Sequence, residues 1–438
     1  MKLCTLIFSL FLVVNVFGQH KHNHYKHREL HHWELPSKDP DRIVLTFNGN
    51  PATNRAVTWR TNEQIEKGYA QIALATMDLT FSKKAKQIEA KSRQFDLGLH
   101  TSNTPLIVHY HSVTFEDLEP DQHYVYRVGD GNENWSEWIQ FKTAKKEYSP
   151  IQFVYFGDAQ SNVLENWSRV IRTAYQTAPY ASFAIHAGNF VNNAHNDNAW
   201  AKWFKAAGFI HSRWTTVPVV GSQEFESLYK NSPKQLSMLW KPQFTLPRET
   251  GISKRLHETV YSFDYQEVRI IVLNSNQQIE EQTKFLEEKL RSSQAKWNIV
   301  TFHHSIFSPT KGEHFQLGQK QWQPILQKYN VDLVLNSHTQ TYTRGHAPKN
   351  QDKELGTVYV TSVSGSEQNK LDTKKVKSFQ ANGYQLDQSG EQSQLFQVIT
   401  IEGNTLKYVA YTVFGDEYDR MEITKDFNTN KKMIIESK

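Results

Sequence analysis

Five short stretches hold most of the residues in this chain that could do chemistry, and each one closes an apolar run. They are "FGDAQSN" (156–162), "AGNFVNN" (187–193), "VGSQEF" (220–225), "FHHSIF" (302–307) and "NSHTQTYTR" (336–344). Carboxylates, imidazoles and amides gathered at strand ends are the groups that hold divalent cations and move protons in hydrolysis. Singly they mean little, because an Asp after a strand more often caps a helix and a lone His is more often a hydrogen-bonded structural residue. "HAGNFVNN" (186–193) raises a sharper question. It sets three asparagines within five residues where a hydrolytic metal site would place a carboxylate.

Two kinds of element must position these groups. From 151 onward, apolar strands ("FVYF", "SFAI", "VPVV", "RIIVLN", "NIVTF", "DLVLN") alternate with helical segments expected at 164–177, 198–210, 279–291 and 319–329. In the third of these, Ile279, Phe285, Leu286 and Leu290 share one helical face. Alternating strand and helix predicts an α/β domain with its site at the carboxyl ends of the strands. After 355 the strands "TVYVTSV", "LFQVITIEG" and "LKYVAYTVF" return without helices, as a β layer closing the same domain. The glutamine-rich stretch 366–394 between them reads as a long surface loop. Residues 40–145 instead show short β-rich runs separated by turn residues, the pattern of an all-β sandwich. "LEPDQHYVYRV" (118–128) enters a strand through a tyrosine corner, with Tyr124 as the corner residue.

The 438 residues suffice for two domains, and 38% hydrophobic with 22% charged residues is the composition of a soluble globular protein. A formal charge of +5 with no basic block gives no reason to expect a nucleic-acid partner. Residues 1–18 combine Lys2, the run "LIFSLFLVVNVF" and Gly18, which reads as a cleaved signal peptide and predicts export to a bacterial periplasm, cell surface or extracellular space. The one cysteine, Cys4, lies inside it, so the mature chain carries no disulfide. No later stretch has transmembrane length. Residues 19–39 hold "QHKHNHYKHRELHHW", a solvated histidine-rich tail that would take up metal only adventitiously, and 426–438 reads as a C-terminal tail.

Taken together and in order, the five strand-end motifs resemble the metallophosphoesterase signature in its purple acid phosphatase branch. "PDRIVLTFNGNPATNRAVTWRT", "KWNIVTFHHS" and "GTVYVTSVSGS" add to the likeness, which covers about 40–425. The resemblance implies a fibronectin type III-like all-β sandwich (40–145) followed by a calcineurin-like α/β domain (149–425) of layered β-sheets flanked by helices. In such enzymes two metal ions share a bridging carboxylate and a bridging hydroxide, and a histidine protonates the leaving alcohol. Matched position by position, Asp158, His303 and His338 keep metal-ligand identities. The other ligand positions have changed: the bridging Asp is Asn189, the Tyr is Asn192, an Asn is Ser222, and the second His of the last motif is Gln340. The acid His is Gln223.

An amide brings no charge and coordinates well through one oxygen only. One remaining carboxylate cannot offset two divalent ions at close range. The resemblance therefore implies at most one weakly held ion (zinc, iron or manganese) in place of a dinuclear centre. Gln223 cannot protonate an alkoxide, and general acid catalysis is worth about 10²–10⁴-fold. Two readings follow. The first is a non-catalytic protein binding a phosphorylated or other polar small molecule, with His304 and Arg344 as possible substrate contacts. The second is a phosphomonoester hydrolase with a mononuclear or rearranged centre, drawing on Glu224, Glu226, His195 or Asp197. Fibronectin-like modules mostly act as spacers, so residues from about 149 onward are expected to hold the site unaided.

Overall fold

The computed structural model describes residues 30–98, 106–311, 315–349, 354–381 and 383–435. The expected signal peptide and most of the histidine-rich stretch lie outside the described residues. Two large sheets stack face to face and build the body of the molecule. The first has eleven strands, in the order Lys431–Ile435, Glu417–Asp426, Thr405–Thr412, Leu395–Glu402, Ile151–Phe156, Phe183–His186, Thr215–Pro218, Asp41–Thr46, Arg55–Asn62, Ile107–Phe115 and Lys91–Asp96. The second has seven, in the order Tyr261–Tyr265, Val268–Val272, Trp297–His304, Leu333–Ser337, Glu354–Thr361, Tyr342–Lys349 and Gln385–Gly390. The central strands of both run parallel. Both faces of these strands are buried, which is why they read as unbroken apolar runs.

Side-chain alternation assigns the layers. In the second sheet Ile270, Val272, Ile299, Leu333 and Leu335 pack toward the first sheet, in the main core. Their neighbours Ile271, Val300, Phe302 and Val334 face the other way, onto Leu286, Trp322 and Leu326 of the helical layer. The helices Ser168–Thr177 and Asp197–Ala207 cover the first sheet through Val170, Ile171, Ala174, Trp200 and Trp203. The predicted helix 279–291 is observed as Ile279–Arg291, and 319–329 as two short helices, Gln316–Gln321 and Gln323–Lys328.

The expected loop at 366–394 is not one. It contains a helix, Thr373–Ala381, and the strand Gln385–Gly390, which pairs antiparallel with Tyr342–Lys349 at the sheet edge. An edge strand is held by backbone hydrogen bonds and needs no apolar alternation, so its polar composition hid it. The expected tail also contributes a strand, Lys431–Ile435, to the first sheet.

Residues 41–142 form the expected β-rich layer, in which a four-stranded sheet (Lys86–Glu89, Tyr69–Leu74, His123–Gly129, Ile139–Lys142) packs over Trp59, Val113 and Phe115. Tyr124 closes its corner by accepting a hydrogen bond from the Glu119 amide at 2.8 Å. The layer is no spacer, however. Asp41–Thr46 pairs parallel with Thr215–Pro218, making one continuous sheet across both halves of the chain. An ion cluster fastens the same junction. Asp197, fully buried at the start of its helix, accepts from both terminal nitrogens of Arg42 (2.6 and 2.7 Å) and from Arg60 (2.9 Å), while Arg60 also grips Asp41. Burial opposes ionisation of Asp197, but the two guanidinium groups override it and hold the carboxyl below its ordinary range.

Asp197→Ala should leave two buried guanidinium groups short of a partner, at a cost of about 3–5 kcal/mol. Urea unfolding at neutral pH should show a correspondingly lowered midpoint, and an unchanged midpoint would mean the cluster does not hold the halves together. A chain starting near Ser149 would bare the edge of Thr215–Pro218 and should aggregate.

Candidate functional site

Loops from both sheets meet around Asp158, which follows the strand Ile151–Phe156 and is completely buried. Each approaching loop depends on a tight backbone. Gly188 has φ +95°, and a β-carbon on it would lie 2.6 Å from Gly221 Cα and 2.7 Å from His303 Nδ1. A β-carbon on Gly221 would sit 2.1 Å from the Asn189 amide nitrogen. These two glycines let the second and third motifs touch. Asn189 itself is left-handed at φ +48°, a conformation asparagine tolerates better than most residues.

Asn189 sits at the centre of the network. Its side-chain oxygen accepts from the Gln223 amide (2.9 Å) and the Ser222 hydroxyl (3.2 Å), and its NH₂ donates to Asp158 Oδ2 at 3.2 Å. Chemistry fixes this orientation, because the reverse would set an oxygen against the carboxylate and an NH₂ against the Gln223 amide donor. The other Asp158 oxygen accepts from the Ser337 hydroxyl and from the His338 amide at 3.0 Å. Burial still pushes the Asp158 carboxyl above its ordinary range, against these donors.

The imidazoles are engaged as well. His303 is fully buried, with Nδ1 2.9 Å from the Ala187 carbonyl, so Nδ1 carries the proton that is donated there. Its Nε2 lies 3.1 Å from His338 Nδ1 and 3.4 Å from the Ser222 hydroxyl. His304 packs on His338, with ring centroids 4.2 Å apart. The Ser275 hydroxyl accepts from the His304 amide at 3.1 Å and lies 2.8 Å from His304 Nδ1, which fixes the ring. Burial, reinforced by its histidine neighbours, holds His303 well below the usual imidazole range; burial, with His338 and Lys234 adding to it, lowers His304 to about 3. Both rings are neutral at ordinary pH.

Asp158, Asn189, Ser222, His303 and His338 thus converge, with His304 on the rim. The other expected residues do not join them. Asn192 is exposed on the wall of a 340 Å³ cavity that Gln160 and Lys202 also line. Gln340 turns to the loop beyond the strand Glu354–Thr361, donating to Glu367 and accepting from Asn369, each at 3.2 Å. Arg344 is not available to a substrate: Asp419 grips it at 2.7 and 2.9 Å, and Asp387 lies at 3.3 Å. Of the proposed replacement groups, Asp197 belongs to the arginine cluster, His195 bonds the Glu226 carbonyl, and Glu226 pairs with Lys234.

Glu224 is a bracket: buried, it accepts from the amides of Asn189, Phe190 and Gly221 and ties the second motif to the third. Burial pushes its carboxyl up to about 8 in spite of those three donors. Sequence reasoning missed Ser337 and Glu367. Ser337 stands directly before His338 and could have been noticed for that. Glu367, which gathers Gln160, Ser161 and Gln340, falls in a polar stretch without pattern.

A dinuclear centre does not fit this donor set. Three donors occupy the two Asp158 oxygens, an NH₂ faces it where a bridging oxygen would be needed, and both His303 nitrogens have partners. Among the described residues, no group of three or more His, Cys, Asp or Glu side chains is placed to hold a metal ion.

Two family descriptions match the chain: "Purple acid Phosphatase, N-terminal domain" over 40–143 and "Calcineurin-like phosphoesterase" over 151–342. An uncharacterized protein of Mycobacterium tuberculosis is 27% identical over 346 residues, 69% of this chain and 62% of the relative, so the match spans about six-tenths of the relative's length. The Fe(3+)-Zn(2+) purple acid phosphatase 12 of Arabidopsis thaliana is 23% identical over 340 residues, 73% of this chain and 68% of the relative. A solved purple acid phosphatase from yellow lupin (Lupinus luteus) seeds shares the fold with TM-score 0.73 at 18% identity, covering 89% of this chain and 75% of that one.

Five buried histidines (His111, His186, His211, His303 and His304) are held neutral in the fold by burial. Below pH ~6.5 the unfolded chain binds protons that these groups refuse until about pH 3 or lower, so stability should fall as pH drops through that window. The slope is about 1.4 kcal/mol per pH unit for each such histidine. Asp158 and Glu224, raised by burial, act in the opposite sense but are outnumbered. Urea unfolding between pH 4.5 and 6.5 checks the sign, and stability that rises toward acid would mean the imidazoles are charged in the fold.

Proposed function

This chain belongs to the purple acid phosphatase-like metallophosphoesterases, and from that premise we propose that it is an exported member that binds a polar ligand without hydrolysing phosphate esters. The observation that carries this reading is the Asn189 NH₂ directed at the Asp158 carboxylate. A hydrogen-bond donor stands where the resemblance calls for a second anionic oxygen, and it meets part of the demand for positive charge that a cation would otherwise meet. The acid position holds Gln223, which has no proton to give a leaving alkoxide, and His304 is kept neutral.

The electrostatics point the same way. Asp158 and Glu367 bring acidic oxygens, His303 and His304 are neutral, and Arg344 is taken up by Asp419 and Asp387. Such a cleft offers a phosphate dianion little attraction unless cations enter with it. Export rests on residues 1–18. Among the described residues no helix is long and apolar enough to cross a membrane.

Protein from a phosphatase-deficient host, assayed for bound metal and for p-nitrophenyl phosphate hydrolysis with and without chelator, tests the reading. The expected result is well under one ion per chain and no chelator-sensitive turnover. Asn189→Asp combined with Ser222→Asn and Gln340→His should raise metal occupancy clearly above wild type, since it restores the charge and donors that the resemblance calls for. Two tightly held ions in wild type, with turnover abolished by chelator and by His338→Ala, would overturn the proposal in favour of a working hydrolase.

A further inference from the structure

Positive charge absent from the strand-end site lies beside it. A cavity of 610 Å³ opens between the N-terminal layer and the hairpin of Phe225–Ser227 and Lys234–Leu236. The hairpin follows Glu224 directly, and its far end returns to the same residue where the Ser237 amide donates to the Glu224 carbonyl at 2.8 Å. Arg93, Lys234, Lys241 and Arg255 line this cavity, and no carboxylate does. Lys234 pairs with Glu226 at 3.0 Å and Lys241 lies 3.7 Å from Glu258, both acids outside the lining, while Arg93 and Arg255 have no carboxylate within ion-pair distance among the described residues. Phe225 and Met238 add an apolar wall, and Met238 is 45% exposed.

Guanidinium groups bind phosphate oxygens in bidentate fashion and keep their charge at any working pH. Two guanidinium groups without an acid partner, beside two lysines paired with Glu226 and Glu258, leave this concave surface net positive, a field that draws polyanions. The volume falls within the range of small-molecule sites, about 300–1,000 Å³, and apolar lining with a few convergent polar groups is their usual composition. Arg93 comes from Lys91–Asp96, the outer strand of the first sheet, whereas Lys234, Lys241 and Arg255 come from the phosphoesterase half. The cavity therefore exists only because the two halves are joined in one sheet.

We propose that this cavity is a binding site for a small organic polyphosphate carrying a planar or apolar group, a nucleoside diphosphate in size and charge, with Arg93 and Arg255 holding its phosphates. This deepens the non-hydrolytic reading by seating the ligand next to the strand-end cleft instead of in it.

Calorimetric titration of the full chain with ADP, in chelator and at low salt, tests the assignment. Saturable binding should weaken as salt is raised, and Arg93→Ala with Arg255→Ala should weaken it about tenfold or more. Both side chains are exposed, so the double variant should fold, and Lys83→Ala with Lys84→Ala, on the exposed outside of the N-terminal layer, should leave binding unchanged. Pyrophosphate should bind more weakly than ADP, and adenosine more weakly still. The assignment is overturned if wild type does not bind ADP, if the arginine pair makes no difference, if pyrophosphate or adenosine binds as well as ADP, or if a heparin oligosaccharide binds more tightly, which would mark a surface for sulfated polymers. Phosphate release is followed in parallel samples without chelator. Release from bound ADP would sink the non-hydrolytic reading and leave the cavity assignment standing.

Discussion

A carboxylate sealed between two sheets needs compensation for its charge, and the centre of this molecule is organised around that need. Asp158 is fully buried, and its side-chain oxygens draw in Ser337 and His338 from the second sheet and Asn189 from the first. Its own carbonyl accepts from the amides of Ser364 and Gly365, so one residue holds loops from three other places in the chain. In a dinuclear hydrolase cations would share this task. In this structure neutral donors and backbone amides contact the carboxylate, and tight loops bring them in: a turn at Gly188, left-handed Asn189 and His338, and Glu224 bracketing three amides.

The same rule, that buried charge must be met, explains the junction of the halves. Arg42, Arg60, Asp41 and Asp197 form a closed set in which each group answers another, and Asp197 is more than 130 residues from either arginine. Parallel pairing of Asp41–Thr46 with Thr215–Pro218 then makes the N-terminal layer a structural part of the larger sheet. Charge is sorted between neighbouring surfaces as a result. Carboxylates and neutral rings occupy the strand ends, and cations gather on the cavity beyond the hairpin at Phe225.

Much of the fold could be read in advance because its signals are local. Apolar runs marked the parallel strands, helical periodicity marked Ile279–Arg291, and Tyr124 announced its corner five residues from its partner Glu119. The five motifs located the convergent residues, since the ends of neighbouring parallel strands deliver side chains to the same end of a sheet. What stayed hidden depended on distant partners. Gln385–Gly390 has no apolar alternation because backbone bonds to Tyr342–Lys349 hold it, and whether Arg344 touches substrate or braces its loop is decided by Asp387 and Asp419 beside it.

By itself the sequence determined most of the elements and their order, and which residues (Asn189, Asn192, Ser222 and Gln340) stand at the positions that the resemblance marks. Those are properties of residue identity and short-range spacing, and they survive without coordinates. Only the tertiary structure decided what answers each buried charge: the Asn189 NH₂ for Asp158, Arg42 and Arg60 for Asp197, Asp419 for Arg344. Compensation acts over a few ångströms in space between groups far apart along the chain. No local pattern encodes it.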